Sequence, residues 1–346
     1  MARFLNDQRL ELLPLSYGFP LPMQPSPLLY GKFPPQAIVS ALSGLPFAGS
    51  YELAKKMDVM HATDHMIPSL GKLPVVATIM DAIPMAHPEW VSNNFRSAKN
   101  WLWRRSAQSA RHVITISEYS KQQIHRHFKI PSGKISVTPL GVDARWFVPV
   151  TTSAVAAMLE RYALPDKFFL TVGTLQPRKN IARVIDAYQA LAPGVRNQVA
   201  LVIVGRAGWQ CEELVANLER GAFGKSVRWL KHVPDEDLVT LVSAAEALIF
   251  PSLYEGFGLP VVEGFAAGTP VITSSTTALP EVAGDAALLV NPLDALDIAN
   301  AMQRVLEETG LADSLREKGT LRAREHSWER TASLTFQIYE RVASDR

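Results

Sequence analysis

Two glutamates eight residues apart frame the stretch with the clearest chemical content, Pro251-Ser-Leu-Tyr-Glu255-Gly-Phe-Gly-Leu-Pro260-Val-Val-Glu263. An apolar run ends at Phe250, a glycine-containing loop follows, and the pattern turns helical at Leu259 with Pro260 in the first turn. Gly256 and Gly258 allow backbone N–H groups around Phe257 and Leu259 to approach a ligand closely. A helix N-terminus adds free donors and a positive partial charge, so a phosphate or diphosphate is its natural guest. Glu263, one turn into the helix, is placed to accept from two ribose hydroxyls, and Glu255 in the loop to accept from sugar hydroxyls. A second stretch, Thr171-Val-Gly173-Thr-Leu-Gln-Pro177-Arg178-Lys179-Asn180, also follows an apolar run and precedes a helix. Gly173 permits a tight turn there. Arg178 offers a fork and Lys179 a compact charge, a pair that suits a diphosphate leaving group.

The elements that must carry these loops alternate strand and helix. In the first half, strands are predicted at Asp58–His61, Val75–Met80, Val113–Ile116 and Ile135–Thr138, with helices over 92–109 and from Ser117 to Phe128. The stretch Gly141–Asp166, with Pro149, Thr151, Thr152 and Pro165, reads as a break. Beyond it strands are predicted at Phe168–Val172, Ala200–Val204, Val227–Trp229, Ala247–Phe250, Val271–Thr273 and Ala287–Val290. Helices are predicted over 181–192, 211–219, 235–245, 260–267 and 295–308. Such alternation implies right-handed crossovers and mostly parallel sheets in an α/β fold, here two doubly wound domains facing a cleft. Ligands of such sheets bind beyond the carboxyl ends of the strands.

Together these motifs resemble family 4 (GT4) of the retaining glycosyltransferases, built on the GT-B fold of two Rossmann-like domains. Further marks are Thr115-Ile-Ser-Glu-Tyr-Ser120, Pro139-Leu-Gly-Val-Asp143, Ala278-Leu-Pro-Glu-Val282 and Gly284-Asp-Ala-Ala-Leu-Leu-Val-Asn-Pro292. The resemblance implies an acceptor-side domain over 1–148 and a donor domain over 149–329. A closing segment, 330–346, near Trp328-Glu-Arg would pack back on the first domain. It implies transfer of a sugar, mannose favoured, from a GDP- or UDP-sugar with retained configuration, in polysaccharide assembly. Arg178 and Lys179 would bind the donor diphosphate and Glu263 the ribose. Glu255 and the Phe257–Leu259 amides would bind the sugar and its phosphate, with no metal and no further cofactor. Asp81, in Thr78-Ile-Met-Asp-Ala-Ile-Pro84, would face the transferred sugar, but Met80 stands where the family often carries histidine. His61 and His65 are candidate acceptor-side substitutes; the alternative, favoured for both, is a strand-end histidine held by a structural partner. The family's opening strand and Gly-rich loop are not found before Asp58. Met80 and that missing loop leave a second class open, a non-catalytic nucleotide-sugar-binding protein.

Composition agrees with a globular chain of two domains. It has 346 residues, 47% hydrophobic and 20% charged, with a net charge of +2, too small for a general nucleic-acid binder. One cysteine, Cys211, excludes an internal disulfide framework and multi-cysteine metal sites. No apolar run reaches the roughly 18 residues that span a bilayer, and the start lacks a signal-peptide core, so a cytoplasmic location is expected. Eight of the 24 prolines fall within residues 1–50, a segment read as loops with short elements. Nine Lys/Arg and only Glu118 as an acid lie between Arg96 and Lys134, leaving 26 basic and 32 acidic residues elsewhere. With Trp101 and Trp103 inside it, this segment suggests peripheral contact with an anionic membrane or a polyprenyl-diphosphate-linked glycan acceptor. Asp235-Glu-Asp237 spells a metal-binding string, but its place at a helix start favours a role at the helix dipole.

Overall fold

The structure, a computed structural model, describes residues 11, 13, 15–16, 28–29, 33–63, 66–90 and 96–345. The chain forms two compact units, Met1–Pro139 with Trp328–Arg346, and Leu140–Ser327.

The first unit holds a four-stranded parallel sheet in sequential order: Met60–Ala62, Val75–Thr78, His112–Thr115 and Ile135–Val137. Its strands are short apolar runs, and the two inner ones are almost wholly buried, as expected of a parallel sheet covered on both faces. Leu53, Leu73, Ala77, Val113, Ile124 and Phe128 fill one side. On the other, the helix Trp328–Ser344 lays Ile338 and Val342 against Val76 and Ile114. The helix Glu118–Phe128 starts where Ser117 Oγ accepts from the Ser120 amide at 3.0 Å. The proline-rich start is more regular than its composition suggests. An 11-residue helix spans Phe33–Ser43, with Pro34 and Pro35 in its first turn, where a missing N–H costs nothing. Leu15–Ser16 and Leu28–Leu29 pair in parallel.

The second unit holds six parallel strands. In spatial order they are Leu288–Val290, Val271–Ser274, Ala247–Phe250, Phe168–Val172, Ala200–Val204 and Val227–Leu230. Numbered along this unit, that order is 6-5-4-1-2-3. The chain therefore reverses its direction of travel between the first strand, Phe168–Val172, and the fourth, Ala247–Phe250. Such a switch point leaves a crevice at the carboxyl ends, because the two crossovers depart to opposite sides. The segment read as a break contains a helix, Thr152–Tyr162, with Thr151 Oγ1 accepting from the Ala154 amide at 3.2 Å. It packs on the helix Asp235–Ala244, where Asp237 takes Arg161 at 2.7 Å and the Tyr162 hydroxyl at 2.7 Å. Asp235 pairs with Arg145 at 3.1 Å. The acidic string thus serves a helix start and two arginines. The helix Leu311–Arg324 falls outside the predicted elements.

Candidate donor site

Both motif loops leave the sheet at the switch point of the second unit. After Val172, the chain turns at Gly173 and forms a single 3₁₀ turn, Pro177–Lys179. After Phe250, it runs through Pro251–Phe257 to the helix Leu259–Ala266. Gly258 is the residue before that helix, at φ 112°, in the half of backbone space that favours glycine. A Cβ there would also come within 2.5 Å of the Leu279 side chain.

The charged groups meet on one carboxylate. Arg178 Nη1 lies 2.8 Å from Glu255 Oε2, and Lys179 Nζ lies 2.6 Å from Glu255 Oε1. Arg178 Nη1 also donates to the Tyr254 carbonyl at 2.8 Å. All three side chains are less than a fifth exposed, so the pairing replaces lost hydration. Lys179 also stands 4.8 Å from the centre of the Phe250 ring. Burial holds its ammonium below the usual lysine value, and Glu255 opposes that shift. The backbone locks the two loops together: the Leu253 amide donates to the Arg178 carbonyl at 2.8 Å. Asn180 takes a left-handed conformation, φ 61°, and its side-chain amide donates to the carbonyls of Pro251 at 2.9 Å and Pro292 at 2.6 Å. The Glu255 amide donates to Thr277 Oγ1 at 3.3 Å. Thr277 itself sits at φ 64°, costly for a β-branched residue.

Glu263 lies on the helix that starts at Leu259. Burial, opposed by Arg145 and reinforced by Asp235, pushes its carboxyl up to about 7. Such a group gains from hydroxyl donors that would replace its lost water. Phe257 is buried and meets His326 edge-on, ring centres 5.5 Å apart.

The structure thus gathers Gly173, Arg178, Lys179, Glu255, Gly256, Phe257, Gly258, Leu259 and Glu263 onto loops and one helix of a single unit. Two glycines escaped the sequence reading. A Cβ on Gly205 would lie 1.9 Å from the Gly173 carbonyl oxygen, and one on Gly208 would lie 2.5 Å from that of Leu175. They let the loop after Val204 bind the 173–175 turn through Gly173–Val204, Leu175–Arg206 and Gly208–Leu175 hydrogen bonds, each 2.9 Å. The available signal was Val204-Gly-Arg-Ala-Gly208, a glycine pair directly after a predicted strand.

The remaining candidates belong to the first unit. His61 Nε2 meets Thr78 Oγ1 at 2.8 Å and Nδ1 meets the Tyr339 hydroxyl at 2.5 Å. Burial lowers it to about 4, so it is neutral at pH 7. Asp81 Oδ1 accepts from the Ile83 amide at 2.9 Å, at the start of the short helix Ile83–Ala86. Met80 is 50% exposed. His65 lies outside the described residues.

With this geometry in hand, two family models match the chain. "Glycosyltransferase Family 4" covers residues 15–146, and "Glycosyl transferases group 1" covers residues 160–322. The chain belongs to the glycosyltransferases with the GT-B fold. The first of these matches begins inside the proline-rich segment. Among relatives, O-antigen chain mannosyltransferase B of Escherichia coli is 35% identical over 68% of this chain and 62% of its own length. The MMP alpha-(1->4)-mannosyltransferase of Mycolicibacterium hassiacum is 30% identical over 69% of this chain and 56% of its own length. The chain therefore spans about three fifths of these curated relatives. Among solved structures, Anabaena HepE in complex with UDP and glucose superposes with a TM-score of 0.70 at 22% identity. That match covers 92% of this chain and 86% of HepE. Sucrose-phosphate synthase from Thermosynechococcus elongatus gives 0.69 at 23%, over 94% and 83%. At these identities the likeness speaks for the fold.

Proposed function

We propose that this protein is a retaining glycosyltransferase. It takes a sugar, mannose favoured, from a GDP- or UDP-sugar and passes it to a glycan or polyprenyl-diphosphate-linked acceptor in polysaccharide assembly. The observation that carries the reading is the convergence of Arg178, Lys179 and Glu255 beside a glycine-led helix N-terminus at the switch point. A diphosphate entering there offers the two cations more negative charge than Glu255 does. It would draw Arg178 and Lys179 onto its oxygens and release the Glu255 carboxylate to accept from the sugar hydroxyls. Glu263 would accept from the ribose. The reaction is a front-face substitution. The acceptor oxygen bonds to the anomeric carbon as the bond to the departing phosphate breaks, and that phosphate takes the acceptor proton. Arg178, Lys179 and the helix N-terminus stabilise the charge left on the diphosphate, so the residues present supply the electrostatic stabilisation themselves. The mannose preference is supported by the relatives' names.

The test is direct binding of GDP and UDP to the full chain and to Lys179→Ala and Glu263→Ala. Each variant is expected to weaken the preferred nucleotide at least tenfold; unchanged affinity in both removes the site assignment. Exposed Met80 and the doubly bonded His61 favour a second reading, a nucleotide-sugar binder without turnover. Labelled GDP-mannose and UDP-glucose separate the two, since the binder neither transfers nor hydrolyses them.

A further inference from the structure

The first unit has a recess on the sheet edge opposite Asp81, which lies beyond the carboxyl end of Val75–Thr78. It is a cavity of about 810 Å³ at the amino ends of the strands. Val75 opens one strand there, and Arg111 and Lys134 stand immediately before the next two. The floor is apolar, formed by buried Leu70, Leu73 and Val342. Tyr51, 71% exposed, stands at the mouth.

The rim is cationic. Lys72, Arg111 and Lys134 are exposed, and among the described residues no carboxylate pairs with any of them. Arg111 donates at 3.4 Å to the backbone carbonyl of Asp345, whose side chain is the one acid on the rim among the described residues. Lys55 is offset by Glu52 at 3.0 Å and stands 4.3 Å from the centre of the Tyr51 ring. Three other cations of the basic segment have partners in the fold itself, so they are held away from the recess. Arg104 donates to the His127 carbonyl, Arg105 to that of Ala41, and Lys121 pairs with Glu118. Two of the nine cations noted between Arg96 and Lys134, Arg111 and Lys134, thus lie at this recess, where Lys72 joins them. His112, next to Arg111 in the chain, is held to about 4 chiefly by burial, then by Arg341, with Lys134 the smallest cause.

We propose that this recess binds a phosphate-bearing anion. The anion sits on Lys72, Arg111 and Lys134, and an apolar part of the same ligand lies against Tyr51 and the floor. Three unmatched cations around a concave, low-dielectric wall focus positive potential, and an arginine fork fits phosphate oxygens. Two sources offer that chemistry, a phospholipid headgroup at a membrane surface and a soluble phosphorylated compound. Either would bind apart from the donor site, which belongs to the other unit.

The probes are inorganic pyrophosphate, followed by calorimetry, and phosphatidylcholine vesicles with and without phosphatidylglycerol, followed by flotation. Both use the full chain at low salt with saturating GDP and UDP. The variant Lys72→Ser with Lys134→Ser removes two exposed side chains, and an unchanged thermal midpoint verifies its fold. At least one probe is expected to bind, about tenfold more weakly in the double variant, with nucleotide affinity unchanged. Lys179→Ala retains the binding. Pyrophosphate alone identifies a soluble ligand, phosphatidylglycerol vesicles alone a headgroup, and both the shared phosphate chemistry. Absence of binding by either probe, or binding that the double variant leaves intact, overturns the proposal.

Discussion

The carboxyl edges of the two sheets treat polar side chains in opposite ways. In the second unit, Arg178, Lys179 and Glu255 are buried as charges that satisfy one another. In the first, His61 is buried neutral, bonded to the Thr78 and Tyr339 hydroxyls, and Asp81 accepts from the amide of Ile83. Mutual pairing keeps charge in reserve, since an incoming anion can exchange with a carboxylate at little cost in solvation. A neutral imidazole held by two hydroxyls keeps no such reserve. The same elements, strand ends and the first turns after them, thus make an electrostatic site in one unit and a fixed joint in the other.

The largest break of this contrast is Glu255→Ala. It leaves Arg178 and Lys179 buried side by side without their counter-charge, a loss expected near 3–5 kcal/mol. Chemical denaturation should show it, with inorganic pyrophosphate restoring part of the stability. Gly205→Ala comes next. Its Cβ would overlap the Gly173 carbonyl and its φ of 154° disfavours a side chain, so about 2–3 kcal/mol should be lost together with nucleotide affinity. His61→Leu should cost about 1–3 kcal/mol by stranding the two hydroxyls, yet leave GDP and UDP affinity as it was. A drop in that affinity would erase the distinction between the two edges.

The subtler test uses pH. Glu263 has a carboxyl raised to about 7, and its ionised form, with both oxygens acting as charged acceptors, binds two hydroxyls more strongly than the protonated acid does. Nucleotide binding should therefore strengthen as pH rises from 6 to 8 and release a proton, and Glu263→Gln should flatten that slope in calorimetry. Smallest is Thr277→Gly. Relief of the left-handed φ and loss of the acceptor for the Glu255 amide oppose each other, so stability in chemical denaturation should change by less than about 1 kcal/mol.

Much of this contrast was legible in the order of residues. Phe168–Val172, Ala200–Val204 and Ala247–Phe250 appear with their expected bounds, because parallel strands covered on both faces are unbroken apolar runs closed by Gly or Pro. The motif residues followed, since each sits within a few positions of such a strand end. The helices Phe33–Ser43 and Thr152–Tyr162 did not emerge, the one hidden by prolines that serve its first turn, the other by a region read through Pro149 and Pro165. The pairing of Arg178 and Lys179 with Glu255 joins positions 76 and 77 apart, and no local spacing encodes it. Gly205 stayed silent for the same reason, because its constraint is a neighbouring loop's carbonyl. In the first unit, Tyr339 returns from the far end of the chain to engage His61, a contact that only folding reveals.

Asn180 has a consequence for motion. One side-chain amide fastens the turn after the first strand to carbonyls on two other segments, at Pro251 and Pro292. Those three segments cannot loosen independently without stranding a buried donor. They should open as one cooperative unit, and in hydrogen exchange amides near 175, 253 and 293 should share a single opening free energy. Nucleotide held by any one of them would then slow exchange in all three, and Asn180→Ala would let each fluctuate by itself.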